Sequence, residues 1–197
     1  MAFTYNQDFI NNAFTYNTYR QHLDQELAQP AQDENAEKMR PHTQKNVALM
    51  DKFDQAYQVS DRLKATLQAA PPTIWLVLTE GWCGDAAFNV PMLAALEKAI
   101  PEKIKLRFLL RDRNLELMDA HLTDGGRSIP KLIILSEDLK ELGSWGPRPA
   151  PLQTLMKNWK TEGLTLKELI PKVHAWYDAD ATQSVQAELT RLVQSYS

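Results

Sequence analysis

The sequence is short of cysteine and glycine and has no long apolar run. Its 197 residues include one cysteine and seven glycines. A single cysteine cannot form a disulfide within the chain, and it is too few for a zinc site built from cysteines. No stretch approaches the ~20 apolar residues of a membrane-spanning helix, and the N-terminus lacks the basic and apolar segments of a signal peptide. We therefore expect a cytoplasmic protein with no metal site and no membrane partner.

Basic residues are also too few to predict nucleic-acid binding. The 22 lysines and arginines are outnumbered by 25 aspartates and glutamates, which gives a formal net charge of -3. Proteins that bind nucleic acid usually carry a basic patch or stripe, so we expect no nucleic-acid partner. The apolar fraction of 44% is ordinary for a globular protein, and a chain of this length can bury a sizeable core as one domain.

The single cysteine lies in the most informative stretch of the chain. The apolar run Ile74–Leu78 is rich in residues that favour strands, and it predicts a buried strand. After Gly84, apolar residues recur near helical spacing as far as Ile100, which predicts a helix. Cys83 is therefore expected on the turn between strand and helix. Free backbone N–H groups and the helix dipole favour a thiolate there.

Trp82-Cys83-Gly84 on such a turn resembles the active-site motif of the thioredoxin superfamily. Arg127 to Leu135 is similar to the loop and strand that carry the cis-proline of that family, and Asp112 to Leu117 is similar to another of its segments. More closely, Glu80 to Ala86 resembles a bacterial branch of thioredoxin family proteins whose signature is Trp-Cys-Gly-Asp-Ala-Ala. The resemblance covers roughly residues 72–156. It implies an α/β thioredoxin-like fold, with a central mixed four-stranded sheet and flanking helices.

Helical patterns are predicted on both sides of this core. Residues 9–27 predict an amphipathic helix, whereas residues 29–43 are polar, contain two prolines and predict a loop. The spacing of apolar residues predicts a longer helix over 47–67. We accordingly divide the chain into an N-terminal helical extension, a thioredoxin-like core and a C-terminal helical extension, all within one structural domain: 1–70, 71–160 and 161–197.

Two more helices are expected in the C-terminal extension. Thr165 and Glu168 have the spacing of a capping box, which predicts the start of a helix. Pro171 lies inside its apolar pattern, so the helix is expected either to kink or to start again there. A last helix is expected over about 182–193.

Ala86 stands where thioredoxins carry the second cysteine of Cys-x-x-Cys. Without a resolving thiol, the thioredoxin cycle cannot be completed within the chain. Two functions remain open. The first is a monothiol oxidoreductase or thiol-exchange protein, with Cys83 as nucleophile and a low-molecular-weight thiol or a protein disulfide as partner. The second is a non-catalytic thioredoxin-like binding module for a peptide or partner protein.

The thiol pKa of Cys83 distinguishes these two functions. A pKa near or below neutrality favours thiol exchange, and one well above the ordinary value of about 8.5 favours the binding module. Asp85 is the second candidate catalytic residue. Its carboxylate would raise the thiol pKa by repulsion, and it is expected either to take part in proton transfer or to cap the helix.

The resemblance also implies a substrate-binding platform. It places a cis peptide bond between Ile129 and Pro130 beside the cysteine, with Trp82 on the other side. Arg127 is either an anchor for a ligand carboxylate or part of an internal ion pair. No cofactor is expected, and the oligomeric state is not predicted.

Two further arginines are expected either to add to a carboxylate-binding rim for a peptide-like thiol or to make internal contacts. The internal contacts are the preferred alternative. Arg111 is expected to pair with Asp112 or Glu80, both close to it in the predicted fold. Arg148 is expected to stack on an indole, that of Trp145 or Trp82.

Overall fold

A mixed four-stranded sheet forms the centre of the computed structural model, which describes residues 3–197. Its strands are β1 Thr73–Thr79, β2 Ile104–Leu110, β3 Lys131–Ser136 and β4 Glu141–Trp145. In the order β2-β1-β3-β4, β1 is parallel to β2 and antiparallel to β3, and β4 is antiparallel to β3. The predicted α/β architecture is confirmed.

Helices flank this sheet, and they bury every residue of β1. A strand covered on both faces is apolar along its whole length and does not alternate, as the run Ile74–Leu78 shows. The helices are α1 Gln7–Asn12, α2 Tyr16–Ala28, α3 Glu34–Ala56, α4 Asp61–Ala69, α5 Gly84–Ala99, α6 Leu115–Asp119, α7 Ala150–Thr161, α8 Leu166–Asp180 and α9 Gln183–Gln194. Within residues 3–197, no helix is both long and apolar enough to cross a membrane.

The loop predicted over residues 29–43 is wrong beyond its first residues. Helix α3 begins at Glu34, and the side chain of Asp33 caps it by accepting the Ala36 N–H at 2.8 Å. Pro41 lies inside the helix, where it removes one backbone hydrogen bond. Packing against α5 compensates for that loss, because most helical stability in proteins comes from tertiary contacts rather than from propensity.

The other predicted helices differ from the observed ones in where the helix is interrupted. The helix predicted over 9–27 is two helices, because Thr15 caps α2 with a capping box. The one predicted over 47–67 is the end of α3 followed by α4, which is capped by Ser60. In contrast, α8 runs without interruption through Pro171, and it has the expected capping box of Thr165 and Glu168.

The N-terminal helices contribute to the same hydrophobic core as the sheet. Tyr19 of α2 is fully buried and stacks on Phe108 of β2, with ring centroids 5.3 Å apart. Helix α3 packs on α5 and helix α9 on α4. These contacts place α2 and α3 beside the loop that carries the cysteine.

Candidate functional site

Cys83 is the N-cap residue of α5, directly beyond β1. It is only 7% exposed, and its thiol donates a hydrogen bond to the carbonyl oxygen of Ile129 at 3.2 Å. The peptide bond between Ile129 and Pro130 is cis. The structure thus brings together three of the predicted site residues, but in an enclosed arrangement.

Burial raises the pKa of the Cys83 thiol to about 12, and the negative charge of Asp85 adds to this effect. The backbone N–H groups of Ala86 and Asp85 and the charge of Arg148 act in the opposite direction. The helix start therefore does stabilise a thiolate, but desolvation outweighs it. At neutral pH the group is a protonated thiol.

Asp85 lies in a buried ion pair and does not cap α5. The guanidinium of Arg148 donates two hydrogen bonds to its Oδ2, that from Nε at 3.1 Å. The hydroxyl of Tyr177 donates to its Oδ1 at 2.9 Å. The helix-cap interpretation of Asp85 is therefore wrong, and so is the expected stacking of Arg148 on an indole. Both side chains are mostly buried, with 11% of Asp85 and 17% of Arg148 exposed. The carboxylate and the guanidinium therefore serve as each other's charge partner.

Further contacts extend this ion pair into a clamp between four parts of the chain, α5, the loop 146–149, α7 and α8. The amide of Asn89 on α5 donates to the Tyr177 hydroxyl at 2.9 Å. Arg148 also donates to the side-chain oxygen of Gln153 at 3.0 Å. The ring of Tyr177 stacks on Phe88, with centroids 4.2 Å apart. The clamp holds the C-terminal helix α8 against the start of α5.

Trp82 lies under an arginine. The guanidinium carbon of Arg111 is 4.9 Å from the centre of the indole ring, within the range of a cation–π interaction. Arg111 is also 2.7 Å from a carboxylate oxygen of Asp112, which is one of the pairings expected from the sequence. The partly exposed face of Trp82 is thus covered by a charged side chain.

Arg127 forms an exposed pair of its own. Its guanidinium donates to both carboxylate oxygens of Asp119, at 2.6 and 2.7 Å. Its link toward Trp82 is through the backbone, since its carbonyl oxygen accepts a hydrogen bond from Arg111 at 3.3 Å. Of the two expected roles, the geometry agrees with the internal ion pair.

The sequence analysis missed a polar cleft of about 300 Å³ beside Trp82. Glu80, 9% exposed, lines it, and burial raises the pKa of this carboxyl group to about 7. The available signal was that Glu80 and Asp112 follow the carboxyl ends of two apolar strands. Because β1 and β2 are parallel, those ends meet at one edge of the sheet. Within residues 3–197, no group of three or more histidine, cysteine, aspartate or glutamate side chains could hold a metal ion.

Comparisons with solved structures show the same fold over the whole chain. A protein of unknown function from Pseudomonas aeruginosa superposes with a TM-score of 0.68 and 16% identity, covering 99% of this chain and all of the other. An HIV epitope scaffold superposes with a TM-score of 0.66 and 16% identity, covering 98% of this chain and all of the other. At this level of identity the likeness is one of fold. No curated protein matches the chain.

The family comparison covers more than half of the sequence. A family model described as thioredoxin matches residues 32–160, a range that includes α3, the whole sheet, the cysteine turn and most of α7. The chain therefore belongs to this thioredoxin family.

Proposed function

We propose that the protein is a thioredoxin-fold binding module for a peptide or partner protein, and that Cys83 does not act as a nucleophile at neutral pH. The observation against a nucleophilic role is the enclosed thiol, whose hydrogen bond to Ile129 uses its one donor. The binding role is proposed from the thioredoxin fold that the family match supports. Burial holds the thiol pKa well above its ordinary value, so the thiol is overwhelmingly protonated at pH 7. The thiolate is the nucleophilic form, so exchange would be very slow.

The absence of a second cysteine supports the same proposal. Ala86 occupies the position of the resolving thiol and is fully buried in the core. A mixed disulfide at Cys83 would have no neighbour within the chain to release it. The polar groups around the cysteine contribute instead to a fixed structure, since Arg148 and Tyr177 both donate hydrogen bonds to Asp85.

Thiol exchange remains a second candidate because the sulfur still faces the backbone N–H groups of Asp85 and Ala86. In that reaction the Cys83 thiol loses its proton to solvent, and its sulfur attacks a small disulfide. One new disulfide forms on Cys83, and one thiolate leaves. This reaction requires the desolvation of the sulfur to be relieved, for example by movement of the loop that carries Arg148.

The two functions can be separated by alkylation of Cys83 with iodoacetamide, followed by mass spectrometry from pH 6 to 10. The same protein unfolded in urea provides the reference rate, and Cys83→Ser provides the background. We expect the folded protein at pH 7.5 to react at least about 100-fold more slowly than the unfolded protein, since its thiol is both enclosed and protonated. A folded rate equal to the reference, with a midpoint below about 8.5, would overturn the binding proposal in favour of thiol exchange.

A further inference from the structure

The cleft beside Trp82 lies at the carboxyl ends of the parallel pair β1 and β2. In open α/β sheets, ligands commonly bind outside the carboxyl ends of the strands. Its volume of about 300 Å³ is at the lower end of the range for small-molecule sites. Its walls come from α2, the loop after it, the start of α3, the β1–α5 turn and the residues after β2: 22, 25–27, 29–33, 35–36, 39–40, 43, 80–82 and 112–113.

The walls of the cleft are held in place by contacts that need no ligand. The side-chain amide of Asn46 donates to the carbonyl of Gly81 at 2.9 Å, and both groups are buried. A Cβ on Gly81 would lie 2.7 Å from Leu23 and 2.9 Å from Thr43, so the turn packs tightly against α2 and α3. Arg40 donates to the carbonyl of Leu27 at 2.8 Å and ties the two helices together. A preformed site of this kind loses little entropy when a ligand binds.

Glu80 carries the unused hydrogen-bonding capacity of the cleft. One of its carboxylate oxygens, Oε1, accepts the Asp112 backbone N–H at 2.8 Å. The other accepts no hydrogen bond from any residue in the part of the chain that the structure describes. Burial of the Glu80 carboxylate raises its pKa. Its second oxygen is not among the buried atoms that lack a partner, so it stays accessible from the cleft.

The charges around Glu80 leave it short of a cation. Glu26 of α2 and Asp112 both raise its pKa by repulsion. Arg111 lowers it, but this guanidinium is already engaged by Asp112 and lies over Trp82. The titratable or charged groups that face Glu80 or line the cleft are Tyr19, His22, Glu26, Asp33, Arg40, Arg111, Asp112 and Arg113.

We propose that the cleft binds a small molecule with a protonated primary amine, and that Glu80 accepts a hydrogen bond from its ammonium group. An ammonium carries three donors and one positive charge, and the free oxygen of Glu80 has neither kind of partner among the described residues. Arg113 lines the cleft and forms no ion pair with the described residues, so its guanidinium is open to a carboxylate on the same ligand. The inference goes beyond the proposed function, because it names a small-molecule ligand for a cleft that Cys83 does not line.

Isothermal titration calorimetry with two probes tests this proposal. The probe 1,4-diaminobutane presents only ammonium groups, whereas glycylglycine adds a carboxylate for Arg113. We expect binding of at least one probe at pH 8, weakened about tenfold at pH 6, because the amine stays protonated while Glu80 takes up its proton. Binding of glycylglycine alone, lost in Arg113→Gln, identifies an amino-acid-like ligand. Binding of both probes identifies the amine as sufficient.

Matched variants assign the binding to this cleft. We expect Glu80→Gln to weaken binding at pH 8 by about tenfold and to abolish its pH dependence. Glu26 lies on an exposed position of α2, so Glu26→Gln does not disturb the core. We expect this variant to bind the probe two- to fivefold more weakly. Glu162→Gln, exposed at the end of α7, is the control and should bind normally.

The outcomes that overturn the inference do not depend on the thiol. No heat with either probe at 10 mM, or equal binding by the wild type and both Glu80→Gln and Glu26→Gln, would contradict it. Cys83→Ser should bind like the wild type, because Cys83 does not line the cleft. A failure of this inference therefore leaves the alkylation result standing, and a reactive Cys83 would leave the amine site standing.

Discussion

Cys83 and Glu80 are two ionisable groups three residues apart at the end of β1, and they differ in what remains for a ligand. They are buried to similar degrees, 7% and 9% exposed, and burial raises the pKa of both. The thiol has given its one donor to Ile129 and is enclosed. The carboxyl group keeps an oxygen facing a cleft. Burial alone therefore does not decide which group can contact a ligand. What decides it is whether the group still has an unused hydrogen-bonding position.

The largest expected effect comes from removing the cation of the buried ion pair near Cys83. Arg148→Ala should lower the free energy of unfolding by about 3 kcal/mol, since it leaves a buried carboxylate on Asp85 without its cation. The matched control is Arg127→Ala, which removes a close but half-exposed pair with Asp119. We expect that change to cost much less, because solvent screens an exposed pair. Urea unfolding of both variants checks the prediction, and equal losses would contradict it.

The Glu80 side of the comparison can be measured through the pH dependence of stability. The folded pKa of Glu80, about 7, lies above the ordinary value of 4.5. The folded protein thus holds a proton that the unfolded chain has lost, and stability falls as pH rises from about 4.5 to 7.

Glu80→Gln removes this group and its titration. Relative to that variant, the free energy of unfolding of the wild type should fall by up to about 3 kcal/mol between pH 4.5 and 7. Each difference of one in pKa is worth about 1.4 kcal/mol. Urea unfolding of both proteins at several pH values checks it. A difference between them that does not change with pH would contradict the raised pKa of Glu80.

The smallest expected effect is a change in the thiol pKa of Cys83 when the neighbouring charge is removed. Asp85→Asn removes the charge that adds to desolvation, so the thiol pKa should fall. The pKa should still stay above the ordinary cysteine value, because burial is the larger cause. The pH profile of alkylation of the variant checks this. A thiol that titrates near neutrality in Asp85→Asn would mean that charge, not burial, holds the wild-type thiol protonated.

Much of the fold could be predicted because its signals are local. The apolar run Ile74–Leu78 and the helical spacing after Gly84 define the strand and helix on either side of the cysteine. The start of α3 was missed because its first three turns are polar, and because Pro41 is usually a reason to end a helix. The cap from Asp33 and packing of α3 on α2 and α5 stabilise the helix, and the contacts with α5 are distant in sequence.

The site was less predictable, because its partners are far apart along the chain. Asp85 meets Arg148 and Tyr177 across 63 and 92 residues, and no spacing rule links them. The sequence correctly placed Asp85 near the thiol but suggested a local role as a helix cap. Glu80 followed a predicted strand, yet only the parallel pairing of β1 with β2 places it beside Asp112.

The most direct test of the account is the ionisation state of Cys83 itself. Because the chain has one cysteine, cysteine labelled with carbon-13 at Cβ gives a single NMR signal that reports its own titration. The account predicts that this signal stays at the position of a protonated thiol from pH 6 to about 9.5, while the same label in urea titrates near 8.5. A folded-state midpoint at or below about 8.5 would contradict the enclosed, non-nucleophilic thiol on which the proposed function depends.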